Sequence, residues 1–247
     1  MVGPYQIGGL IVATDLGIFH TAANTATNEP CILKLLPTEV AQEDAFRKRL
    51  KWEGMLLSRL QHENIIQSLG FGESEGRVYL ALEPLDGGPL QAWIDATAPA
   101  NAGMPPVKVK RIIEQILRGL IPVHRAGIVH RNLSPTTLWM TRAGQVKFAD
   151  FYLARSYSPL PDDPSDSRSD LWAVGILAYH FLTGRKPSGL AELASQLLPG
   201  LDRRWDVFIG TCLKEDPADR YQTADAALEG LQRLDATVSR WRRWWRP

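Results

Sequence analysis

Apolar positions in the first 36 residues come in short β-branched runs separated by Gly- and Asn-rich turns. YQIGGLIV, IFHTA and CILKLL therefore predict three antiparallel strands, the last two joined through ANTATNEP. From Ala41 to Leu60 the period changes. Phe46, Leu50, Met55, Leu56, Leu57 and Leu60 recur at roughly helical intervals among charges, which predicts an amphipathic helix. IIQSLGF and RVYLALE, split by the turn ESEG, add two more strands. Five strands and one helix within the first ~85 residues make an α+β lobe.

Past Gly87-Gly88 the pattern turns helical. A short helix is followed by the small-residue loop ATAPANAGMPP (Ala96 to Pro106) and a longer helix from Val107 to Ala126. LWMT and QVKFAD predict a strand pair, and Ser156 to Arg168, rich in Ser, Pro and Asp, predicts a loop. Helical spacing then runs from Asp170 to Thr183, Glu192 to Leu198, Arg203 to Leu213 and Thr223 to Leu234. The chain thus divides into a β-rich lobe over 1–85, a helical lobe over 86–234 and a tail over 235–247, with no internal repeat.

Composition narrows this picture only slightly. With 45% hydrophobic and 22% charged residues the chain has the means for an ordinary core. Its formal net charge of +1 argues against a general polyanion binder, so no nucleic-acid partner is expected and any basic contact must be local. Cys31 and Cys212 stand far apart in no metal-ligand spacing, as expected of small core residues in a reduced, cytoplasmic protein. The N-terminal apolar run has no basic lead-in and is interrupted by Asp15, unlike a signal peptide. No stretch of about 20 apolar residues spans a membrane.

Six short motifs occur in a fixed order: CILK ending in Lys34; Glu53, nine residues before His62 in RLQHENII; GIVHRNL; DFY at Asp150; RSDLWAVG from Arg168 to Gly175; and DPADR from Asp216 to Arg220. In combination and in register they resemble the bacterial Ser/Thr protein kinases, from about Tyr5 to Leu234. The resemblance implies the two-lobed protein kinase fold, an α+β architecture with a β-rich N-lobe carrying one long helix and a mostly helical C-lobe. It implies that Lys34 is the phosphate-binding lysine, Glu53 its helix partner and Asp150 the metal-binding aspartate. It also implies that Asp170 ties down the catalytic-loop backbone, that His130 and Arg131 brace that loop, and that Arg220 is the late arginine, whose usual glutamate partner has no counterpart here. Asp162 or Asp163 is a substitute. His124 reads as an ordinary structural histidine.

The sequence departs from that family where the chemistry is done. Asn132 stands in place of the aspartate that accepts the substrate proton, a contribution worth roughly 10²–10⁴ in rate. Ser134 replaces the lysine that faces the transferred phosphoryl group, an electrostatic loss of typically ~3 kcal/mol in the transition state. Thr137 replaces the asparagine that holds the second Mg²⁺. In the phosphate loop, Val12 and Thr14 occupy two glycine positions and only Gly17 is kept. The adenine roof and floor positions are Phe19, Ile32 and Trp139, and stacked together they fill the nucleotide site; the alternative is that Trp139 turns into the core elsewhere. The hinge Glu83-Pro84-Leu85 keeps the Leu85 N–H, which is free to donate to adenine. The expectation is a pseudokinase, a binding or scaffolding module in signalling that has no catalytic residue, metal or cofactor. Its alternative is a weak or unconventional ATP- and Mg²⁺-dependent protein Ser/Thr kinase using Lys34, Glu53 and Asp150.

Two segments lie outside that comparison. Ser156, Tyr157 and Ser158 sit in a shortened segment where modification by another kinase, paired by Arg131, is one reading and an ordinary exposed loop the other. The tail DATVSRWRRWWRP, drawn as a helix, sets Trp241, Trp244 and Trp245 on one face with Arg242, Arg243 and Arg246 largely elsewhere. That composition suits the inner face of a membrane or a partner protein. Equally, Leu231, Leu234, Val238, Trp241 and Trp245 form one stripe that extends the last helix over the lower lobe.

Overall fold

Strand alternation sets the architecture of the first part of the chain. The computed structural model describes residues 1–14, 17–97, 103–151, 155–156, 166–187 and 192–234. In it β1 (Tyr5–Thr14), β2 (Gly17–Asn24), β3 (Pro30–Leu35), β4 (Ser68–Ser74) and β5 (Arg77–Leu82) form an antiparallel sheet in the order β1-β2-β3-β5-β4. β3 is central and buried on both faces. Cys31, Leu33 and Leu35 join Val2, Tyr5, Ala22, Tyr79 and Ala81 in one apolar cluster. The period of two then turns Ile32 and Lys34 to the opposite face.

The amphipathic segment is two helices rather than one, α1 (Thr38–Ala41) and α2 (Asp44–Arg59). Glu43 breaks them: its backbone is extended at φ −92°, ψ 122°, and its carbonyl restarts the ladder by accepting from Phe46 and Arg47. α2 packs on β4 and β5. β4 begins later than IIQSLGF implies, because Ile65 and Ile66 are drawn to a different partner. Ile65 bridges Phe148 in parallel, and the Ile66 N–H donates to the Phe148 carbonyl at 3.0 Å. Phe148 belongs to a small second sheet made of β6 (Gly88–Pro89), β8 (Leu138–Met140) and β9 (Val146–Phe148). The Asn64 amide fixes this attachment by donating to the Val146 carbonyl at 2.8 Å. Contacts accordingly group Met1–Pro89 with Trp139–Leu153 as one compact unit.

The other unit, Leu90–Leu138 with Ala154–Pro247, is helical. It holds α3 (Leu90–Thr97), α4 (Pro106–Arg125), α5 (Arg168–Thr183), α6 (Ala194–Leu197), α7 (Arg204–Cys212) and α8 (Ala224–Gln232), with a 3-10 turn at Pro217–Asp219. α4 buries Val109, Ile112, Ile113, Ile116, Leu117, Leu120 and Val123, a stripe at helical spacing that packs on α5 and α8. Each fully buried side chain of this kind is worth about 1.5–3 kcal/mol. α5 meets α7 at Gly175, where a Cβ would stand 2.6 Å from the Cys212 Cβ, so only glycine permits that approach. Two short strands escape the hydrophobic pattern: β7 (Ile128–Val129) pairs with β10 (Arg155–Ser156).

Among the described residues no helix is long and apolar enough to cross a membrane. Both cysteines are buried and free.

Candidate nucleotide site and catalytic loop

β3 delivers Lys34 to the face of the sheet opposite the apolar cluster, and α2 delivers Glu53 from its buried side. The Lys34 ammonium donates to Glu53 Oε2 at 2.7 Å, to Glu53 Oε1 at 2.9 Å and to Asp150 Oδ1 at 2.9 Å. The two Glu53 oxygens belong to one carboxylate, so with Asp150 they present the ammonium with two acceptor groups. The Phe151 N–H also donates to Glu53 Oε1 at 2.9 Å. Lys34 and Glu53 are wholly buried and Asp150 is 13% exposed. Burial alone would lower the Lys34 pKa, but the Asp150 and Glu53 carboxylates outweigh it and hold the ammonium charged above its usual range. Burial pushes the Glu53 carboxyl up, with the Asp150 charge adding to it against the pull of Lys34 and the Phe151 amide.

Around this triad the site is tightly packed. Gly17 lies against the Lys34 stem, where a Cβ would stand 2.9 Å from Lys34 Cε. Thr14 pairs with Gly17 across the β1–β2 hairpin, and its hydroxyl donates to the Gly17 carbonyl at 3.0 Å; Val12 pairs with Phe19. Phe19 stands between two neighbours: the Lys34 ammonium 5.4 Å from its ring centroid and the Trp139 ring at 5.4 Å, tilted by 55°. Phe19, Ile32 and Trp139 are all buried. On the hinge, Glu83 Oε1 accepts from Lys147 at 2.6 Å and from the Gln67 N–H at 3.1 Å. Leu85 is half-buried and its N–H donates to no described residue.

The catalytic loop belongs to the helical unit and is fixed from below by α5. Asp170, 1% exposed, accepts from the His130 N–H and the Arg131 N–H at 2.8 Å each, and His124 Nε2 lies 2.9 Å from its Oδ2. These bonds hold Arg131 at φ +64°, a left-handed conformation that a non-glycine residue adopts only under restraint. The loop then closes on itself. Thr137 Oγ1, nearly buried, donates to the Asn132 carbonyl at 2.6 Å and accepts from the Ser134 N–H at 3.1 Å. The Ser134 hydroxyl sits 2.8 Å from Thr136 Oγ1 and 3.2 Å from Thr137 Oγ1.

The Arg220 guanidinium donates to three main-chain carbonyls: Lys214 at 2.8 Å, Glu215 at 3.1 Å and Arg168 at 3.4 Å. Asp166 accepts from the Arg168 N–H and side chain. Its burial would raise its carboxyl, but the Arg168 hydrogen bonds and the Arg220 charge hold it below the usual range.

This arrangement can be compared with known proteins. The sequence profile of the protein kinase domain matches residues 15–164. The chain belongs to the protein kinase family. It is 28% identical to the serine/threonine-protein kinase PksC of Streptomyces coelicolor, over 95% of this chain and 50% of that protein. It is 27% identical to the serine/threonine-protein kinase PknL of Mycobacterium tuberculosis, over 93% of this chain and 65% of that protein. The chain therefore spans between half and two-thirds of the length of these curated relatives. Its fold matches the crystallised PknI kinase domain of Mycobacterium tuberculosis with a TM-score of 0.77 at 25% identity, covering 94% of this chain and 96% of that one.

Within the family frame, the structure gathers Lys34, Glu53, Asp150, Gly17, Phe19, Ile32 and Trp139 in the first unit and His130, Arg131, Asn132, Ser134, Thr137, Asp170 and Arg220 in the second. Tyr157, Ser158, Asp162, Asp163, Trp241, Arg242, Arg243, Trp244, Trp245 and Arg246 lie outside the described residues, as does the Ser156 side chain. Four features have no counterpart in the sequence reading: the His124–Asp170 bond, the Asn64 anchor, the Lys147–Glu83 ion pair and the Thr137 clasp. Asn64 carried a signal in its place directly after His62-Glu63, and His124 in its place six residues before His130. The other two depend on pairing that linear spacing does not encode.

Proposed function

We propose that this chain is a pseudokinase, a kinase-fold binding or scaffolding module that does not turn over ATP. The observation that carries the reading is the catalytic loop. Asn132 offers an amide with no basic lone pair near neutral pH. The Thr137 hydroxyl has already given its only proton to the Asn132 carbonyl and accepts from the Ser134 amide, which leaves it poorly suited to a metal ion. The first unit supports the same reading. Lys34 is held by Glu53 and Asp150, and Phe19 and Trp139 fill the roof and floor positions with each other. ATP and Mg²⁺ do not fit these residues.

Protein partners are proposed to take the place of a substrate, with the module acting in the cytoplasm. The Trp- and Arg-rich tail is proposed to reach a membrane surface or a partner. One observation favours a second reading, an unconventional Ser/Thr kinase: the Lys34–Glu53–Asp150 geometry is intact at 2.7–2.9 Å, and the relatives are Ser/Thr kinases.

A thermal-shift titration with ATP, with and without Mg²⁺, separates the two. Ligand at ~100-fold above its Kd adds ~2.7 kcal/mol to stability, several degrees in a chain of this size. The proposal expects no shift for the wild type and a shift in Trp139→Leu, once circular dichroism has shown that the variant is folded. A Mg²⁺-dependent shift in the wild type overturns it in favour of the second reading.

A further inference from the structure

The outer face of α2 carries charge that is only partly answered among the described residues. Of the charged residues on this helix, Glu53 is buried against Lys34, which leaves Arg47, Lys48, Arg49, Lys51 and Arg59 against the single carboxylate of Asp44. At 100° per residue, Lys48, Lys51, Trp52, Met55 and Arg59 fall within an arc of about 100°. Lys48, Lys51, Met55 and Arg59 are exposed and Trp52 is half-buried. Arg47 is paired with Glu73, and the Arg49 guanidinium lies 5.0 Å from the Trp52 ring centroid. Lys48, Lys51 and Arg59 make no ion pair with a described residue. Asp44 stands four residues before Lys48, the spacing at which helical pairs form, and still does not pair with it.

A solvated face of a soluble helix ordinarily mixes signs, because like charges stacked three or four residues apart are unfavourable. Here the net charge of the whole chain is +1, so the five cations are a local concentration. Three of them, Lys48, Lys51 and Arg59, flank Met55, a long apolar side chain left 48% exposed.

We propose that this face docks an acidic, amphipathic protein segment, whose carboxylates meet Lys48, Lys51 and Arg59 while one apolar side chain covers Met55 and the edge of Trp52. The stripe from Lys48 to Arg59 runs about 16 Å along the helix, three turns of a partner helix. A single exposed methionine gives too little apolar area for a bilayer, which selects a protein partner over a lipid surface. The inner side of the same helix holds Glu53 against Lys34, so a bound segment braces the element that positions the triad. This inference deepens the binding-module reading and rests on it.

The test uses a fluorescein-labelled peptide of ~16 residues, with glutamates spaced three and four apart beside a leucine stripe, titrated with the full chain and read by anisotropy. Saturable binding that weakens as NaCl is raised is expected. Lys48→Glu with Lys51→Glu should weaken it at least ~10-fold, and Met55→Ala about 3-fold. Arg111→Glu with Arg118→Glu, on the exposed side of α4, should leave it unchanged. Absence of binding, or equal loss in the α4 control, overturns the proposal. Binding to phosphatidylglycerol vesicles but not to the peptide, lost with Lys48→Glu and Lys51→Glu, overturns it in favour of a membrane surface. ATP turnover followed in the same samples keeps the two claims apart: turnover sinks the pseudokinase reading, whatever the peptide does.

Discussion

The charged triad of the first unit and the catalytic loop of the second have been treated differently by substitution. In the triad every side chain is kept and every contact is short, from 2.7 to 2.9 Å. In the loop the backbone is held by Asp170, and Asn132, Ser134 and Thr137 stand at the positions where the family resemblance expects the reactive side chains. Burial accounts for the difference at Asn132 and Ser134, though not at Thr137, which is buried as well. Lys34 and Glu53 are wholly enclosed, and deleting one member of such a pair strands the other charge in a medium that cannot solvate it. Asn132 and Ser134 are half-buried, and water compensates whatever is placed there. Retention of Lys34, Glu53 and Asp150 is therefore what stability alone would preserve, and is weak support for nucleotide chemistry.

The largest test removes one member of the triad. Glu53→Ala should destabilise the protein by about 3–5 kcal/mol, because Lys34 then faces Asp150 alone and the Phe151 N–H loses its acceptor. Urea unfolding measures it. A loss below ~1 kcal/mol would mean that the triad is not structural.

Next comes the support of the loop. Asp170→Ala removes the acceptor of two main-chain N–H groups and the partner of His124, and should cost about 3 kcal/mol at the rate of hydrogen bonds to a charged group. Amide exchange at His130 and Arg131 should accelerate with it. Unchanged exchange would show that the left-handed Arg131 backbone is held by something else.

A pH series sets the helical core beside the triad. Burial pushes the Cys212 thiol from 9.0 up to about 12. Above pH 9 the unfolded chain loses this proton while the folded chain keeps it, so stability falls as pH rises through that window, by about 1.4 kcal/mol per unit. Lys34, also held above its usual value, adds a loss of the same sign only once the pH passes 10.5. Between pH 9 and 10.5 the wild type should therefore lose about 2 kcal/mol more than Cys212→Ser. Parallel curves from chemical denaturation across that range would remove Cys212 as the cause.

Much of this contrast was legible in the sequence. The period-two runs give the five strands, and the motif order gives the fold. β3 exposes the reason: an alternating run with a lysine on one phase must either bury the charge with a partner or break the strand. The less visible parts depend on pairing in space. Extended backbone at Glu43 split a continuous helical pattern, since a hydrophobic period does not report ψ. Ile65 and Ile66 read as strand because they are apolar, but serve as the joint to β9. Thr137 looked like a lost metal ligand, and its hydroxyl instead holds the loop.

The smallest expected effects lie in that loop and sharpen the comparison most. Thr137→Val keeps shape and removes the clasp, so the Asn132 carbonyl and the Ser134 N–H lose their partner, and a cost near ~1 kcal/mol follows. Asn132→Asp changes a half-buried side chain, while the clasp is borne by the residue's main-chain carbonyl, so stability should move by no more than about 0.5 kcal/mol. If that variant also fails to transfer phosphate to a generic protein substrate, the missing base is not the sole barrier, and the Phe19–Trp139 contact remains as a second one. If Asn132→Asp alone gains turnover, the first unit binds nucleotide after all, and the loop and the triad are two halves of one enzyme separated by a single residue.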